Sequence, residues 1–451
     1  MIYKRVSFIL ALVMVLSMLV GCATTSQITA TGVPSSDTQT QGDGVQAPQT
    51  VSGEKTVVRG LYMKQAGIQM EDMEEIAAAY EAKNPNIDIQ FEYVAYEALH
   101  DKIVTAAMAK SGAYDIVLLD GIWPGEFAEA GFILDVTDML PEDMKQNVYQ
   151  GALEMNEYKG RYYGVPFLND VEFFFYNEKM LNEAGYTNPP TTWEEFAEIA
   201  TAAKEKGIVE YPIIGQFGQT ELLVCDYTIY LSAMGGKFFT EDGQIAFNSP
   251  EGIAALTYMV EGMKNGIYHP ASLESASEEA RRIFSQGQSM FVFNWSYVAS
   301  LVDVPEESLV VGDVKAALIP GIDGVRKSGT VNGGMGLSIM ADSTHPKEAW
   351  DFLMFVTNRD VMAPYYNVVL PLWKDQALPG GPFETAMPML FPIAGEQLEY
   401  MDNRPIVPYY TQMSEILQRE IHGALLGEKT PEQALQDAAT AIEAVKEQFG
   451  G

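Results

Sequence analysis

Between residues 56 and 119 the hydrophobic period of the sequence switches repeatedly, and that rhythm restricts the fold more than any other feature. "TVVRGLYM" from Thr56 reads as a strand, after which Met70, Met73, Ile76, Ala77 and Tyr80 recur at helical spacing until Asn84-Pro85 stops them. Ile87, Ile89 and Phe91 then alternate as a second strand. Leu99, Ile103, Ala107 and Met108 mark a second helix closed by Gly112, and the apolar run from Ile116 to Leu119 is a third strand. Strands alternating with helices in this way predict an α/β fold with a parallel sheet covered on both faces. At 451 residues the chain exceeds one ordinary core, so length suggests two or three domains.

The rhythm breaks in the middle. In "GRYYGVPFLNDVEFFFYNEKMLNEAG" two strand-like runs are joined through Asn169-Asp170 with no helix between them. Thr192 then offers an N-cap with Glu195 placed for a capping box, ahead of a helix carrying Phe196, Ile199, Ala200 and Ala203. α/β alternation continues to about Pro320. "VNGGMGLSIMADSTHPKEAWDFLMFVT" supplies a Gly-rich loop, a strand, and a helix with Ala349, Phe352, Leu353 and Val356 along one face. A last long helix has Thr430 as cap, Pro431 in its first turn and Leu435, Ala438, Ile442 and Val445 as its apolar stripe.

The N-terminus carries an address. Lys4 and Arg5 form a positive n-region and residues 6–20 an apolar h-region. A membrane span needs roughly 18–20 apolar residues, more than this run contains. "LVGC" resembles the bacterial lipobox, which makes residues 1–21 a signal peptide and Cys22 the expected lipidation site. Residues 22–54 are then a tether rich in Thr, Ser, Gln and Gly with almost nothing to bury. About 30 residues of such coil have an r.m.s. reach of roughly 30 Å. Cys225, the only other cysteine, has no partner once Cys22 is acylated and reads as a small packed hydrophobe.

Charge excludes one class of partner. Lys+Arg minus Asp+Glu is 28 − 61 = −33, and such a chain is repelled by phosphate backbones, so no nucleic-acid partner is expected. Simple surface solubility accounts for the rest of the acidity.

The chemistry-bearing residues collect where strands stop. "YDIVLLDGIWPGEFAEAG" ends its strand on Asp120 and Trp123, and open α/β sheets bind ligands beyond the carboxyl ends of their strands. A carboxylate accepts hydrogen bonds from two hydroxyls while an indole offers a flat apolar face, a pairing that suits a pyranose. Alternatively, Asp120 caps the following helix and Trp123 fills the core. "MFVFNWSYVASL" likewise places Trp295 and Tyr297 at a strand-to-helix turn, facing either a cleft or the interior. "VNGGMGLSI" has Ile339 where a dinucleotide loop needs its third glycine and no Gly-Lys-Ser/Thr follows, so it is no phosphate cradle. His100, His269, His345 and His422 match no metal spacing, and no cofactor or metal is expected. Asp170 with Glu172, or Asp120 with Glu126, would serve as the acid/base pair of a glycoside-cleaving enzyme, although neighbouring carboxylates are common in so acidic a chain.

Five stretches in order, "YDIVLLDGIWPGEFAEAGFILDVTD", "YYGVPFLNDVEFFFYNEKML", "FSQGQSMFVFNWSYVASL", "NGGMGLSI" and "NRPIVPYYTQMSEILQREIHGALLGEKTPEQAL", carry a resemblance. The chain resembles the lipid-anchored, sugar-specific solute-binding proteins of ABC importers, the family that includes maltose-binding protein. "IWPGEFA", "NWSY" and "RPIVPYY" are most similar to its trehalose/maltose branch. The resemblance implies a periplasmic-binding-protein fold: two discontinuous α/β lobes, 55–168 with 335–364 and 169–334 with 365–451. It implies crossovers near 166–171, 333–338 and 364–371, and a ligand caught between the lobes. Asp120 and Trp123 would then lie on one wall, Trp295 and Tyr297 on the other, Gly334 and Met335 on the floor, Arg404 at the far rim, and Asp170 at the first crossover. Lys64 and Gln65 stand in "GLYMKQAG" where the family often has an acidic residue or tryptophan, and Tyr96 with Glu97 matches a contact loop only loosely. By the same resemblance the protein is a monomer on the outer face of the cytoplasmic membrane or in the periplasm, is not an enzyme, and delivers a sugar to a membrane permease. A non-sugar cargo (polyol, peptide or polyamine) and an adhesion lipoprotein remain the alternatives.

Overall fold

The computed structural model describes residues 55–65 and 67–450, so the signal peptide, Cys22 and the whole tether lie outside the described residues. The first rhythm folds as the sequence dictates: β1 (Thr56–Met63), α1 (Met70–Lys83), β2 (Ile87–Val94), α2 (Tyr96–Ala109) and β3 (Ile116–Asp120). α1 buries Met73, Ile76, Ala77 and Tyr80, one face of a 3.6-residue period. Its first turn is closed by the Gln69 amide donating to Asp72 Oδ2 at 2.7 Å. α2 buries Leu99, Ile103 and Ala107, but Met108 is 70% exposed, one position past the stripe. The turn that ends α2 is made by Lys110 at φ 46°, two residues before the expected Gly112.

β1 pairs in parallel with β2 and with β3, as expected. The sheet is nevertheless mixed. Strand Met335–Ile339 enters antiparallel to β3, and Val165–Leu168 lies beyond it. The wholly parallel expectation is corrected there, because a strand arriving from a distant segment is not bound by the handedness of a βαβ unit. All five residues of β3 are buried, which explains its unbroken apolar run.

A second, four-stranded sheet has the order Val314–Ala317, Glu172–Asn177, Phe291–Trp295, Ile213–Ile214. The strand "EFFFYN" is buried on both faces. Phe173 and Phe175 join a core continuous with the first sheet, while Phe174 faces a second core of Phe196, Phe291 and Phe293 at ring separations of 5.1–5.5 Å. The helices Glu221–Ala233, Tyr410–Leu425 and Pro431–Gln448 pack on that second core.

Chain passes between the two sheets lie side by side. Residues 169–171 lead from Val165–Leu168 into Glu172–Asn177, and residues 332–334 lead back into Met335–Ile339. Val171 bridges Asn332, Asn169 bridges Leu370, and Asn169 Nδ2 donates to the Pro371 carbonyl at 2.8 Å. Residues 370–373 still hold to the first body, since Trp373 bridges Val148 and the Tyr149 amide donates to Leu372 O at 3.2 Å. By Gln397, whose Oε1 accepts from the Ile319 amide at 2.9 Å, the chain packs on the second. The architecture is thus two discontinuous α/β lobes joined by crossover segments.

Candidate functional site

The site is assembled from the ends of buried strands. β3 delivers Asp120, which pairs across the sheet with Met335 and is 2% exposed. The chain then turns at once: Asp120 Oδ1 accepts from the Ile122 amide at 3.3 Å, and the Trp123 amide donates to Asp120 O at 3.0 Å. Oδ2 accepts from the Tyr96 hydroxyl at 2.7 Å, so the first residue of α2 fastens the end of β3. Burial first, and then the neighbouring Asp120 charge, push the Tyr96 hydroxyl well above its ordinary range, which keeps it a donor. Trp123 stacks on Tyr96 with ring centroids 6.1 Å apart and 15° between planes, and its other neighbours are His100 and Phe127. At 4% exposure this indole is core in the closed molecule, as its alternative reading had it.

The opposite lobe brings Arg404. Its Nη1 donates to Glu221 Oε1 at 2.7 Å, and its Nη2 lies 3.4 Å from both Asp120 Oδ1 and Asn332 O. Glu221, the first residue of its helix, also accepts from Tyr410 OH at 2.5 Å and from Ser414 Oγ. One cation therefore sits between two buried carboxylates, with three hydroxyls neutralising the remaining acceptor capacity. A second strut crosses the cleft nearby. Glu126 Oε2 receives His100 Nε2 and the Thr411 hydroxyl, each at 3.0 Å. Gly125 fits because a Cβ there would lie 2.9 Å from the Val407 carbonyl carbon. The lobes are closed on one another, and the space left between Gly121, Met155, Gly334 and Arg404 is about 10 Å³, room for one water molecule.

Asp170, Trp295 and Tyr297 form a second group. Asp170 Oδ1 accepts from the Val171 amide at 2.9 Å and the Ser296 amide at 3.2 Å. Burial lifts its carboxyl to about 7, against the pull of those two hydrogen bonds. The Trp295 ring lies on Gly333, where a Cβ would be 2.1 Å from Cζ3. Its Nε1 donates to Ser277 Oγ at 3.1 Å, the Ser277 hydroxyl donates to Gln216 Oε1 at 2.5 Å, and Gln216 Nε2 faces Glu172 Oε1 and Oε2 at 3.0 Å and Asp226 Oδ1 at 3.2 Å. Trp295 therefore offers a ligand its ring and not its N–H. One amide group with two hydrogens cannot satisfy two ionised carboxylates, and burial raises Glu172 well above its usual range and Asp226 to about 7, so the pair retains a proton. Tyr297 is 7% exposed, with its hydroxyl unpartnered among the described residues.

The two groups meet at the crossover. The Gly334 amide donates to Asn332 Oδ1 at 2.9 Å, and the Gly333 amide donates to Asp170 O at 3.0 Å. Of the residues singled out in the sequence, Tyr96, Asp120, Trp123, Met335, Gly334 and Arg404 share the first group, and Asp170, Trp295 and Tyr297 share the second. Lys64 and Gln65 stand apart: Lys64 is exposed with its amide on Val94 O, and Gln65 bonds Tyr62. Glu221, Tyr410, Asn332, Ser277 and Gln216 were not foreseen. An acidic residue opening an otherwise apolar helix, "ELLVCDYTIYLS", was the available signal for Glu221. Both carboxylate pairs considered for hydrolysis are split between separate networks, and no metal-ligating cluster occurs among the described residues.

Two discontinuous α/β lobes closing over strand-end side chains define a hinged binding protein. The chain belongs to the family described as bacterial extracellular solute-binding protein, which matches residues 67–363. It is 27% identical over 353 residues to a probable ABC transporter-binding protein of Deinococcus radiodurans, covering 75% of this chain and 81% of the other. It is also 27% identical over 304 residues to the maltotriose-binding protein of Pyrococcus abyssi, covering 65% of this chain and 61% of that one. Among solved structures, maltose-bound MalE3 of T. maritima superposes with a TM-score of 0.78 at 28% identity, covering 86% of this chain and all of the other.

Proposed function

We propose that this chain is the substrate-binding component of a carbohydrate ABC importer, which captures a mono- or oligosaccharide by hinge closure and hands it unchanged to a membrane permease. The observation that carries the reading is the Asp120–Arg404–Glu221 network, in which charged hydrogen-bonding groups from both lobes meet beside stacked aromatics. In the open form these groups lose partners across the cleft, and sugar hydroxyls are suited to take their place. A ligand favours closure only by as much as it contacts the closed state better. Tyr96, Asp120 and Trp123 form one wall on this reading, and Trp295, Tyr297 and Arg404 the other. Asp170, Gly334 and Met335 lie at the floor. The hinge passes on this reading are residues 169–171 and 332–334, while the third, expected near 364–371, falls later in the chain, since residues 370–373 still hold to the first body. The similarity to maltose- and maltotriose-binding proteins supports a sugar as cargo. Cys22 would carry a lipid anchor that keeps the monomer at the outer face of the cytoplasmic membrane or in the periplasm, within reach of the permease.

The test is to denature the purified folded body and identify any copurified small molecule, alongside a thermal-shift screen of sugars, polyols, amines and amino acids. Stabilisation by sugars supports the proposal. Stabilisation by amines or amino acids alone, or glucose released from maltose or trehalose, overturns it.

A further inference from the structure

Behind Trp295 lies a line of polar groups whose outer end is the indole itself. Glu172 opens an otherwise aromatic strand and is the direct antiparallel partner of Trp295. Glu172 and Gln216 are fully buried and Asp226 is 2% exposed, so these groups must satisfy one another.

The hydrogens they share can be counted. Gln216 Nε2 carries two, yet it faces both Glu172 carboxylate oxygens at 3.0 Å, Asp226 Oδ1 at 3.2 Å and Phe293 O at 3.3 Å. The Gln216 backbone amide adds one more, donated to Asp226 Oδ2 at 2.8 Å. Two ionised carboxylates in so dry a place repel each other with too few donors between them. One proton on the pair removes a charge and supplies the missing hydrogen. The Gln216 side chain is then fixed at both ends, with Nε2 toward the acids and Oε1 accepting from the Ser277 hydroxyl. Ser277 Oγ in turn accepts from Trp295 Nε1 at 3.1 Å, and the ring lies on Gly333.

The other groups that bear on the pair come from several elements. Asp170, Arg404 and the Cys225 thiol act on Glu172, and the Tyr230 and Tyr268 hydroxyls face Asp226. Burial keeps the thiol and both hydroxyls neutral, and Arg404 keeps its charge, so near neutral pH Asp170 is the one of these five that titrates alongside the pair.

We propose that Ser277, Gln216 and the Glu172–Asp226 pair are positioning residues for capture: they hold the Trp295 ring in its wall of the cleft only while the two acids share a proton, so that affinity for carbohydrate falls as pH rises past neutrality. The inference rests on the place given to Trp295 in the proposed function and adds what controls its ring. When the last proton leaves, the repelling carboxylates displace Gln216, and Ser277 loses the acceptor that orients its hydroxyl. The indole N–H is released, and a ligand must spend part of its binding energy on restoring the ring. Proton and ligand therefore favour the same state.

The experiment follows two readouts on the folded chain at about pH 6 and about pH 8.5. One is affinity for the tightest binder among maltose, trehalose, maltotriose, ribitol and mannitol. The other is the Trp295 indole N–H resonance without ligand, assigned with Trp295→Phe. The variants are Glu172→Gln, Ser277→Ala and Ser277→Thr. Ser277 is half-buried and Glu172→Gln keeps the side chain's shape, so the fold is retained. In the native protein affinity is expected to fall about tenfold between the two pH values, with the indole resonance moving in step. Glu172→Gln removes most of that fall and holds the resonance still. Ser277→Ala weakens binding equally at both pH values, and Ser277→Thr restores the native behaviour. Native affinity independent of pH, an indole resonance that does not respond, or a fall of native size in both Glu172→Gln and Ser277→Ala overturns the proposal; the last outcome assigns the fall to Asp170, and all three leave the importer reading intact. No binding by any of these solutes overturns the carbohydrate reading, and the role given to Trp295 with it.

Discussion

At the scale of single residues, Arg404 does the most. It is 5% exposed and stands between Asp120 and Glu221, so its removal leaves two buried carboxylates facing each other. Breaking a buried pair in this way costs about 3–5 kcal/mol where the protein cannot relax. Here the lobes can part, so Arg404→Met is expected to open the unliganded protein, read as a larger radius of gyration in small-angle scattering. Asp120→Ala should weaken sugar binding by about 1–3 kcal/mol, because a ligand hydroxyl loses its acceptor. Calorimetry showing unchanged affinity would take Asp120 out of the site. The buried acids make a separate statement about pH. Asp170 and Asp226 titrate near 7 in the folded protein against 3.8 for the ordinary group, so the native state binds more protons between those values. Stability is therefore full at the acid end of that window and falls as pH rises from about 4 to about 7, by roughly 4 kcal/mol for each group at the full shift. Glu172→Gln supplies the hydrogens that the Glu172–Gln216–Asp226 cluster lacks. The fall in melting temperature with pH should be shallower in that variant, with the Asp170 contribution remaining.

At the scale of elements, most of the fold was legible because its signals are local. The stripe of α1, the Thr430 cap and the alternation of Phe173, Phe174 and Phe175 all follow from periods of 3.6 and 2. Departures came where a neighbour outside the element intervened. Glu195 Oε2 accepts from the Thr191 amide and hydroxyl instead of closing the box on Thr192. Met335–Ile339 reads as a strand, but nothing within it says that it will run antiparallel to β3. Thr430 Oγ1 accepts from the Gln433 amide at 3.2 Å, so Thr430→Ala should cost about 1 kcal/mol in chemical denaturation. Phe174→Ala, emptying the centre of four aromatic contacts, should cost about 3–5 kcal/mol by the same measurement.

At the scale of the whole molecule the decisive feature is closure. Gly125 meets the Val407 backbone across the cleft, where a side chain has no room. Its φ is not in the left-handed region, so Gly125→Val is tolerated within its own lobe and acts as a wedge between the two. The expected outcome is an expanded scattering profile that sugar fails to compact, with cooperative thermal unfolding retained. A profile identical to the native one would mean that the lobes do not close through this contact.

The sequence by itself determined the succession of strands and helices, their buried faces and the α/β class, since these depend on spacing along a few residues, while the division into two lobes was implied by resemblance to a family. It also located Asp120, Trp123 and Trp295 at strand ends. Only the tertiary structure decided their partners. Arg404 reaches Asp120 across 284 positions of chain, and Glu221 across 183. Such pairing is set by how distant segments cross between the lobes, and no local period encodes it.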